Sequence, residues 1–341
     1  MYSINMLSSA DKVKGQGVGS AYLEQVDLVK KGLGKEYEVF INKFKFADIM
    51  HYHTIDFKHF ILAKFARFKS VNVGYVHFTP ETVDDSISLP RPIKFIFYKY
   101  VIAFYKSMDV LVTVNPYFID ILEKYKIKRE KVTYIPNFVS EDNFYRVDSS
   151  ERSKLREKHN ISKDDFVVIG VGQVQTRKGV LDFVNIASKL KDYKFKWIGG
   201  FSFGKITAGY KELKKSMEDP ENKVEFLGIL EREKMNEIYN IADLLFLPSF
   251  QELFPMTILE AFNCKLPILL RDLDIYPGVF SGYYLKGSNT DEFIDVIKNL
   301  RNDKQFYEDA KLKSWEGHNF YCKEHVLSMW KDFYGKIVTE K

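Results

Sequence analysis

The stretch Ala242-Asp243-Leu244-Leu245-Phe246-Leu247-Pro248-Ser249-Phe250-Gln251-Glu252-Leu253-Phe254-Pro255-Met256-Thr257-Ile258-Leu259-Glu260-Ala261-Phe262 decides how the chain folds. Its first part is a short apolar run closed by Pro248, the pattern of a strand buried on both faces in a parallel sheet. Its last part is an apolar helix. A strand that passes through a polar loop into a helix is half of a βαβ unit, and open parallel sheets bind ligands beyond the carboxyl ends of their strands. Glu252 stands in that loop and Glu260 inside the helix. An acidic residue ahead of a helix is often a plain cap, but a carboxylate within an apolar helix is costly without a partner. Glu260 therefore predicts a buried partner, for which a ligand's ribose diol and a structural arginine serve equally.

The same alternation extends in both directions. Short β-type runs recur at 166–171, 195–198, 224–227 and 267–270 around this stretch, and earlier at 2–7, 38–41, 48–53, 71–78, 109–114 and 132–136, with helix-compatible segments between them. A length of 341 residues favours two domains. The polar segment Asn137 to Ser150 is the natural joint. The fold class predicted is α/β, with two doubly wound Rossmann-like domains.

Two more strand-to-helix loops carry chemistry. After the first strand the chain reads Ser8-Ser9-Ala10-Asp11-Lys12-Val13-Lys14-Gly15-Gln16-Gly17-Val18-Gly19-Ser20. Gly17 and Gly19 permit close backbone approach to a phosphate or sugar, and the following helix end offers free N–H groups. The spacing matches neither the dinucleotide fingerprint nor the Walker loop, and such turns also occur without a ligand. In the second half, Gly172-Gln173-Val174-Gln175-Thr176-Arg177-Lys178-Gly179 places two adjacent cations where a diphosphate would sit, or where a solvated surface pair would.

Composition excludes whole classes. The chain is 45% hydrophobic and 28% charged, which rules out disorder, collagen and coiled coil. Two cysteines, Cys264 and Cys322, form no disulfide framework and no paired metal spacing, consistent with a reducing cytoplasm. The N-terminus lacks a basic region and a cleavage site, so no signal peptide is expected. Lysines interrupt the apolar run 93–105, so no membrane span is expected either. His51, His53 and His59 lack a carboxylate at ligand spacing and are read as strand and cleft residues. Between His53 and Lys131 there are 13 basic and 8 acidic residues, a surplus equal to the whole net charge of +5. Within it, residues 57–69 set Phe57, Ile61, Phe65 and Phe68 on one helical face flanked by Lys58, Lys64, Arg67 and Lys69, and residues 93–106 repeat the mixture. Such segments lie in an anionic headgroup layer or, equally often, form a core stripe with a wet edge.

Taken in order, the Gly-rich loop, Lys178-Gly179, Ala242-Asp243 to Pro248-Ser249 and the Glu252 to Glu260 pair resemble the retaining two-Rossmann-domain (GT-B) glycosyltransferases of family 4, group 1. Their E-x7-E pattern is matched by the glutamate pair. The opening, from Asn5 to Ser20, more narrowly resembles Gram-positive enzymes that extend monoglucosyl-diacylglycerol to the diglycosyl-diacylglycerol anchoring lipoteichoic acid. The resemblance implies an acceptor-side domain of residues 1–143 joined by the C-terminal helix 325–341, and a nucleotide-sugar domain of residues 144–324, facing a central cleft that closes for turnover.

The resemblance also assigns roles. Lys178 would bind the donor diphosphate, with Arg177 and Gln173 on the same loop. Glu252 would lie against the donor sugar, the backbone at Phe254, Pro255, Met256 and Thr257 would meet sugar hydroxyls and phosphate, and Glu260 would hold the ribose. Ile229 and Leu230 fall at the base, Gly17 and Gly19 at the donor, and His77 at the hexose near the reacting centre. The donor is a UDP-hexose, glucose or galactose; no cofactor and no metal are implied. The expected partners are glucosyl-diacylglycerol and an anionic membrane surface at the cytoplasmic face, met through 57–69 and 93–106, and no nucleic acid. An acceptor linked to polyprenyl, or a soluble one, is the alternative within the family. A non-catalytic basic binding protein is the alternative outside it. Three positions depart from the family pattern: Gln173 replaces an arginine, Leu253 a glycine and Lys265 a glycine.

Overall fold

The computed structural model describes residues 1–9, 17–83, 90–201, 204, 207 and 209–339. The chain divides into two compact units, Met1–Phe138 with Tyr321–Lys341, and Val139–Phe320. The reading from sequence sets these boundaries at 143/144 and 324/325. Val139, Tyr145 and Val147 are bonded within the second unit. Asn263 Nδ2 donates to Val139 O at 2.9 Å, while the side-chain oxygens of Asn236 and Asn240 accept the N–H groups of Tyr145 and Val147 at 2.9 and 3.0 Å.

The first unit carries β1 (Tyr2–Leu7), β2 (Tyr37–Ile41), β3 (Ile49–Tyr52), β4 (Val71–Val76), β5 (Val110–Thr113) and β6 (Val132–Tyr134), in the order β2-β1-β3-β4-β5-β6. Every pairing is parallel. Strands covered on both faces explain why β3 is buried along its whole length. The last helix, Lys323–Thr339, returns to this unit and buries Val326, Trp330, Phe333, Tyr334 and Ile337. Gly32 lets it come close, since a Cβ there would stand 2.5 Å from the Leu327 methyl groups.

The second unit carries β7 (Val167–Val171), β8 (Lys194–Ile198), β9 (Val224–Gly228), β10 (Leu244–Leu247), β11 (Ile268–Arg271) and β12 (Leu285–Gly287), in the order β12-β11-β10-β7-β8-β9, again parallel. The three-residue β12 is too short to register as a periodic run. Trp197 and Phe195 pack on Phe183 at 5.2 and 5.3 Å between ring centres, and Phe246 meets Phe293 at 4.9 Å. Asp243, a family landmark, has a structural task. It accepts hydrogen bonds from Arg152 at 2.7 Å, Arg156 at 3.0 Å and the Val167 N–H at 2.8 Å, tying the starts of β7 and β10 to the helix Ser149–Lys158.

Two parallel, doubly wound sheets are thus what the alternation of apolar runs predicts. Among the described residues no helix is long and apolar enough to cross a membrane.

Candidate active site

In the second unit the loops after β7 and β10 are built as one piece. Gly179 adopts a left-handed conformation (φ 68°), and a Cβ there would meet Pro248 O at 2.2 Å, so only glycine lets the two loops touch. The Phe250 N–H donates to Arg177 O at 2.8 Å. Arg271, at the end of β11, closes the back: its Nε donates to Pro248 O at 3.0 Å, it pairs with Asp182, and its guanidinium lies 4.1 Å from the Phe250 ring centre.

This frame brings Lys178 and Glu252 together. Lys178 Nζ donates to both carboxylate oxygens, at 2.6 and 2.8 Å, and both side chains are largely buried. Burial pushes the Lys178 ammonium below its ordinary pKa, against the pull of Glu252, and Arg177 adds to the lowering. Arg177 points elsewhere: Nε donates to Gln175 Oε1 at 2.9 Å and Nη1 reaches Gln251 O at 3.4 Å. Gln173 is half-buried on the same loop.

Phe254, Pro255, Met256 and Thr257 form the entry to the helix Met256–Asn263, where the first N–H groups lack intrahelical partners and the potential is positive. One turn further in, Glu260 Oε2 accepts the phenol O–H of Tyr239 at 2.6 Å. Tyr239 comes from the helix Arg232–Ile241 and is fully buried. Glu260 thus has a buried partner, as its place in an apolar helix requires, and Tyr239 supplies one. Ile229 is exposed and Leu230 half-buried just after β9, where Gly199 N–H donates to Gly228 O at 2.8 Å.

In the first unit, His77 follows β4 and stacks on Tyr75 with ring centres 4.4 Å apart. The column continues through His53, 5.2 Å from Tyr75, and His51, 4.2 Å from His53, and is backed by Trp330. His51 Nδ1 pairs with the Tyr334 hydroxyl at 2.8 Å. Both ring nitrogens of His53, and Nε2 of His51 and His77, are buried without a hydrogen-bond partner. Burial lowers the pKa of His51 to about 3 and of His77 to about 4, so the column is neutral near neutral pH. His59 instead bonds the Thr54 carbonyl at 3.1 Å. The loop 10–16 lies outside the described residues; Gly17 and Gly19 open the helix Gly17–Leu33 that follows it.

The geometry offers a cation on a carboxylate at the mouth of one strand, a helix N-terminus beside it, and a second carboxylate held by a phenol. Residues 151–314 match the family model described as Glycosyl transferases group 1, and residues 40–143 match Glycosyltransferase Family 4. Over 333 residues the chain is 43% identical to the alpha-galactosylglucosyldiacylglycerol synthase of Streptococcus pneumoniae, covering 98% of this chain and 89% of that protein. The chain belongs to the family 4, group 1 glycosyltransferases. This glycosyltransferase is also 25% identical to the processive diacylglycerol alpha-glucosyltransferase of Acholeplasma laidlawii, with 86% of each chain covered. Its fold is shared with sucrose-phosphate synthase from Thermosynechococcus elongatus, at a TM-score of 0.79 and 13% identity over 100% of both chains. The Anabaena protein HepE, solved in complex with UDP-glucose, matches at a TM-score of 0.74 and 16% identity, covering 98% of this chain and 100% of that one. The architecture is GT-B.

Reasoning from sequence missed three residues that act on the candidate site residues and loops. Tyr239 lies 21 positions from Glu260 and carries no motif. Tyr276 is buried with its hydroxyl unpartnered, and burial together with the Glu252 carboxylate raises its pKa. Arg271 shapes the loops from behind. Lys265, one of the departures from the family pattern, does what the usual glycine does: at φ 54° it is the left-handed residue ending the helix Met256–Asn263, with Leu266 N–H donating to Ala261 O at 3.0 Å.

Proposed function

We propose that this glycosyltransferase moves glucose or galactose, with retention, from a UDP-sugar to monoglucosyl-diacylglycerol at an anionic membrane surface, giving a diglycosyl-diacylglycerol. The observation that carries the reading is the likeness to the pneumococcal synthase over 98% of the chain; that enzyme's name carries a galactosyl group ahead of the glucosyl-diacylglycerol. The UDP-glucose complex of a protein sharing the fold supports the donor class.

Each residue then has a task. Lys178, still carrying an N–H beyond its two bonds to Glu252, contacts the diphosphate and stabilises the charge that builds on it as the glycosidic bond breaks. Glu252 faces the sugar, the helix entry at 254–257 supplies N–H groups to phosphate and sugar hydroxyls, and Glu260 takes the ribose diol. Ile229 and Leu230 border the base. His77, neutral in its stack, is the first unit's candidate for the hexose. In the front-face course, the acceptor hydroxyl attacks from the side the diphosphate leaves, and a phosphate oxygen takes its proton. Positioning and electrostatics supply most of the rate.

The membrane side rests on a face the core could have claimed. The helix Phe57–Ala66 buries His59, Ala63 and Ala66, while Phe57, Phe65 and Phe68 are 67, 64 and 81% exposed. The neighbouring helix Arg91–Lys106 buries Val101, Ile102, Phe104 and Tyr105 and exposes Ile93, Phe95 and Ile96. Phe57 and Phe60 meet Tyr100 at 6.4 and 5.7 Å, which makes the two helices one surface. Lys64 lies over Phe60 at 4.5 Å and Lys99 over Phe95 at 4.3 Å. Aromatics rimmed by cations suit an anionic interface, so the enzyme works as a peripheral protein of the inner leaflet.

The test is to incubate the protein with labelled UDP-glucose or UDP-galactose and vesicles containing monoglucosyl-diacylglycerol, diacylglycerol or neither. Label in a diglycosyl lipid with one donor is the expected result. Donor hydrolysis without lipid product would overturn the acceptor assignment in favour of a polyprenyl-linked or soluble acceptor.

A further inference from the structure

After β2 the chain turns through Asn42-Lys43-Phe44-Lys45-Phe46. Asn42 is left-handed (φ 51°); its N–H donates to Met6 O at 3.0 Å and its Oδ1 accepts the Ser8 N–H at 2.8 Å. Asn5, fully buried in β1, donates from Nδ2 to Lys43 O at 2.7 Å and to Lys45 O at 2.8 Å, and accepts the Lys43 N–H at 3.3 Å. The backbone on either side of Phe44 is therefore clamped to the sheet. An unconstrained phenylalanine on a turn would fold its ring onto nearby apolar surface. Here the clamp holds the ring outward, and Phe44 is 100% exposed between two lysines.

Hydrogen bonds link the turn to the start of the aromatic helix. The strand order β2-β1-β3 is parallel, so all three strands end on one edge of the sheet. Hydrogen bonds run along that edge. Asn42 holds the Ser8 N–H, the Ser9 N–H donates to Thr54 Oγ1 at 3.1 Å, and Ser9 Oγ donates to Asp56 Oδ2 at 2.6 Å, the residue before Phe57. A dedicated carboxamide, a clamped turn and an outward ring with a lysine on either side in sequence, Lys45 resting its ammonium 4.2 Å from the Phe40 ring centre, match an anionic headgroup layer, where lysines meet phosphates and an aromatic ring sits at the acyl boundary.

We propose that the 42–46 turn is a further lipid-contact element, with Phe44 entering the interfacial layer of an anionic bilayer and Lys43 and Lys45 on its phosphates. It sets the strand-end edge of the first unit against the membrane, the edge at which an acceptor headgroup would be taken up. The proposal rests on the membrane reading above and goes beyond it, because that reading assigns no contact to the 42–46 turn.

The experiment compares Phe44→Trp with Phe65→Trp on phosphatidylglycerol–phosphatidylcholine vesicles carrying brominated acyl chains, against the native protein, whose own tryptophans set the baseline. Both introduced tryptophans are expected to be quenched beyond that baseline. Quenching of Phe65→Trp without Phe44→Trp overturns this proposal and leaves the membrane reading standing; quenching of neither overturns both. As a second measurement, Phe44→Ser, checked for native folding by circular dichroism, is expected to lower vesicle partitioning roughly tenfold. An unchanged partition coefficient overturns the proposal.

Discussion

Lys178 Nζ lies between the two carboxylate oxygens of Glu252, at 2.6 and 2.8 Å, with the glutamate side chain 5% exposed and the lysine 15%. The cation proposed for the donor is thus already part of a nearly dry ion pair. Removing either partner alone leaves the other charge uncompensated, a loss of about 3 kcal/mol or more.

From that pair follows a double-mutant prediction. Lys178→Met and Glu252→Gln are each expected to abolish transfer and to lower the urea midpoint. The double variant should regain most of the stability and none of the activity. A single variant with wild-type transfer would remove Lys178 or Glu252 from the donor site.

Tyr239 holds Glu260, the carboxylate proposed for the ribose, and so bears on the proposed donor binding. Without the phenol O–H, the carboxylate loses one charge-assisted bond, worth roughly 1.5 to 3 kcal/mol. Tyr239→Phe is expected to raise the KM for the UDP-sugar about tenfold, with kcat at saturating donor little changed. Glu260→Ala should raise it further. A lowered kcat at unchanged KM would place the pair in the chemical step instead.

The histidine column predicts an acid-sensitive first unit. An unfolded histidine titrates near 6.5, whereas burial holds His51 to about 3 and His77 to about 4, and lowers His53 as well. Between those values the unfolded chain binds protons that the native state refuses. Stability is therefore complete above about pH 6.5 and declines as pH falls, by roughly 1 kcal/mol per pH unit for each imidazole. Among the described residues Tyr22, Tyr75, Tyr334 and Trp330 pack on the column, and His59 acts on His53 in the same direction as burial, lowering its pKa. His53→Phe keeps an aromatic ring and removes two unpartnered nitrogens. Urea melts at about pH 5 and pH 8 should show a shallower loss in this variant than in wild type; equal slopes would exclude His53 from the effect.

Lys265 offers a gain. A non-glycine residue in the left-handed region costs about 1 kcal/mol, while the ammonium 5.3 Å from the Trp315 ring centre returns about 0.5. Lys265→Gly should therefore raise stability by roughly half a kcal/mol without altering turnover. Chemical denaturation reads the first quantity and the transfer assay the second.

The amino-acid sequence by itself determined the two parallel sheets, the loops where ligands belong and the family, because these depend on local order: apolar runs alternating with helices, and glutamates, a lysine and glycines at short spacing. It also established that Glu260 needs a partner, since a carboxylate in an apolar helix carries its own cost. Which partner was a tertiary matter. Tyr239 arrives from another helix, Tyr276 and Arg271 from segments beyond the motif, and the Asn5 clamp on the 42–46 turn joins residues about forty positions apart. The aromatic stripe of 57–68 illustrates the division. Periodicity put Phe57, Ile61, Phe65 and Phe68 on one face, but only the packed fold decided that the small face, Ala63 and Ala66, turns inward and the large one outward. Periodicity fixes which side chains share a face, whereas burial depends on the shape of what packs against it.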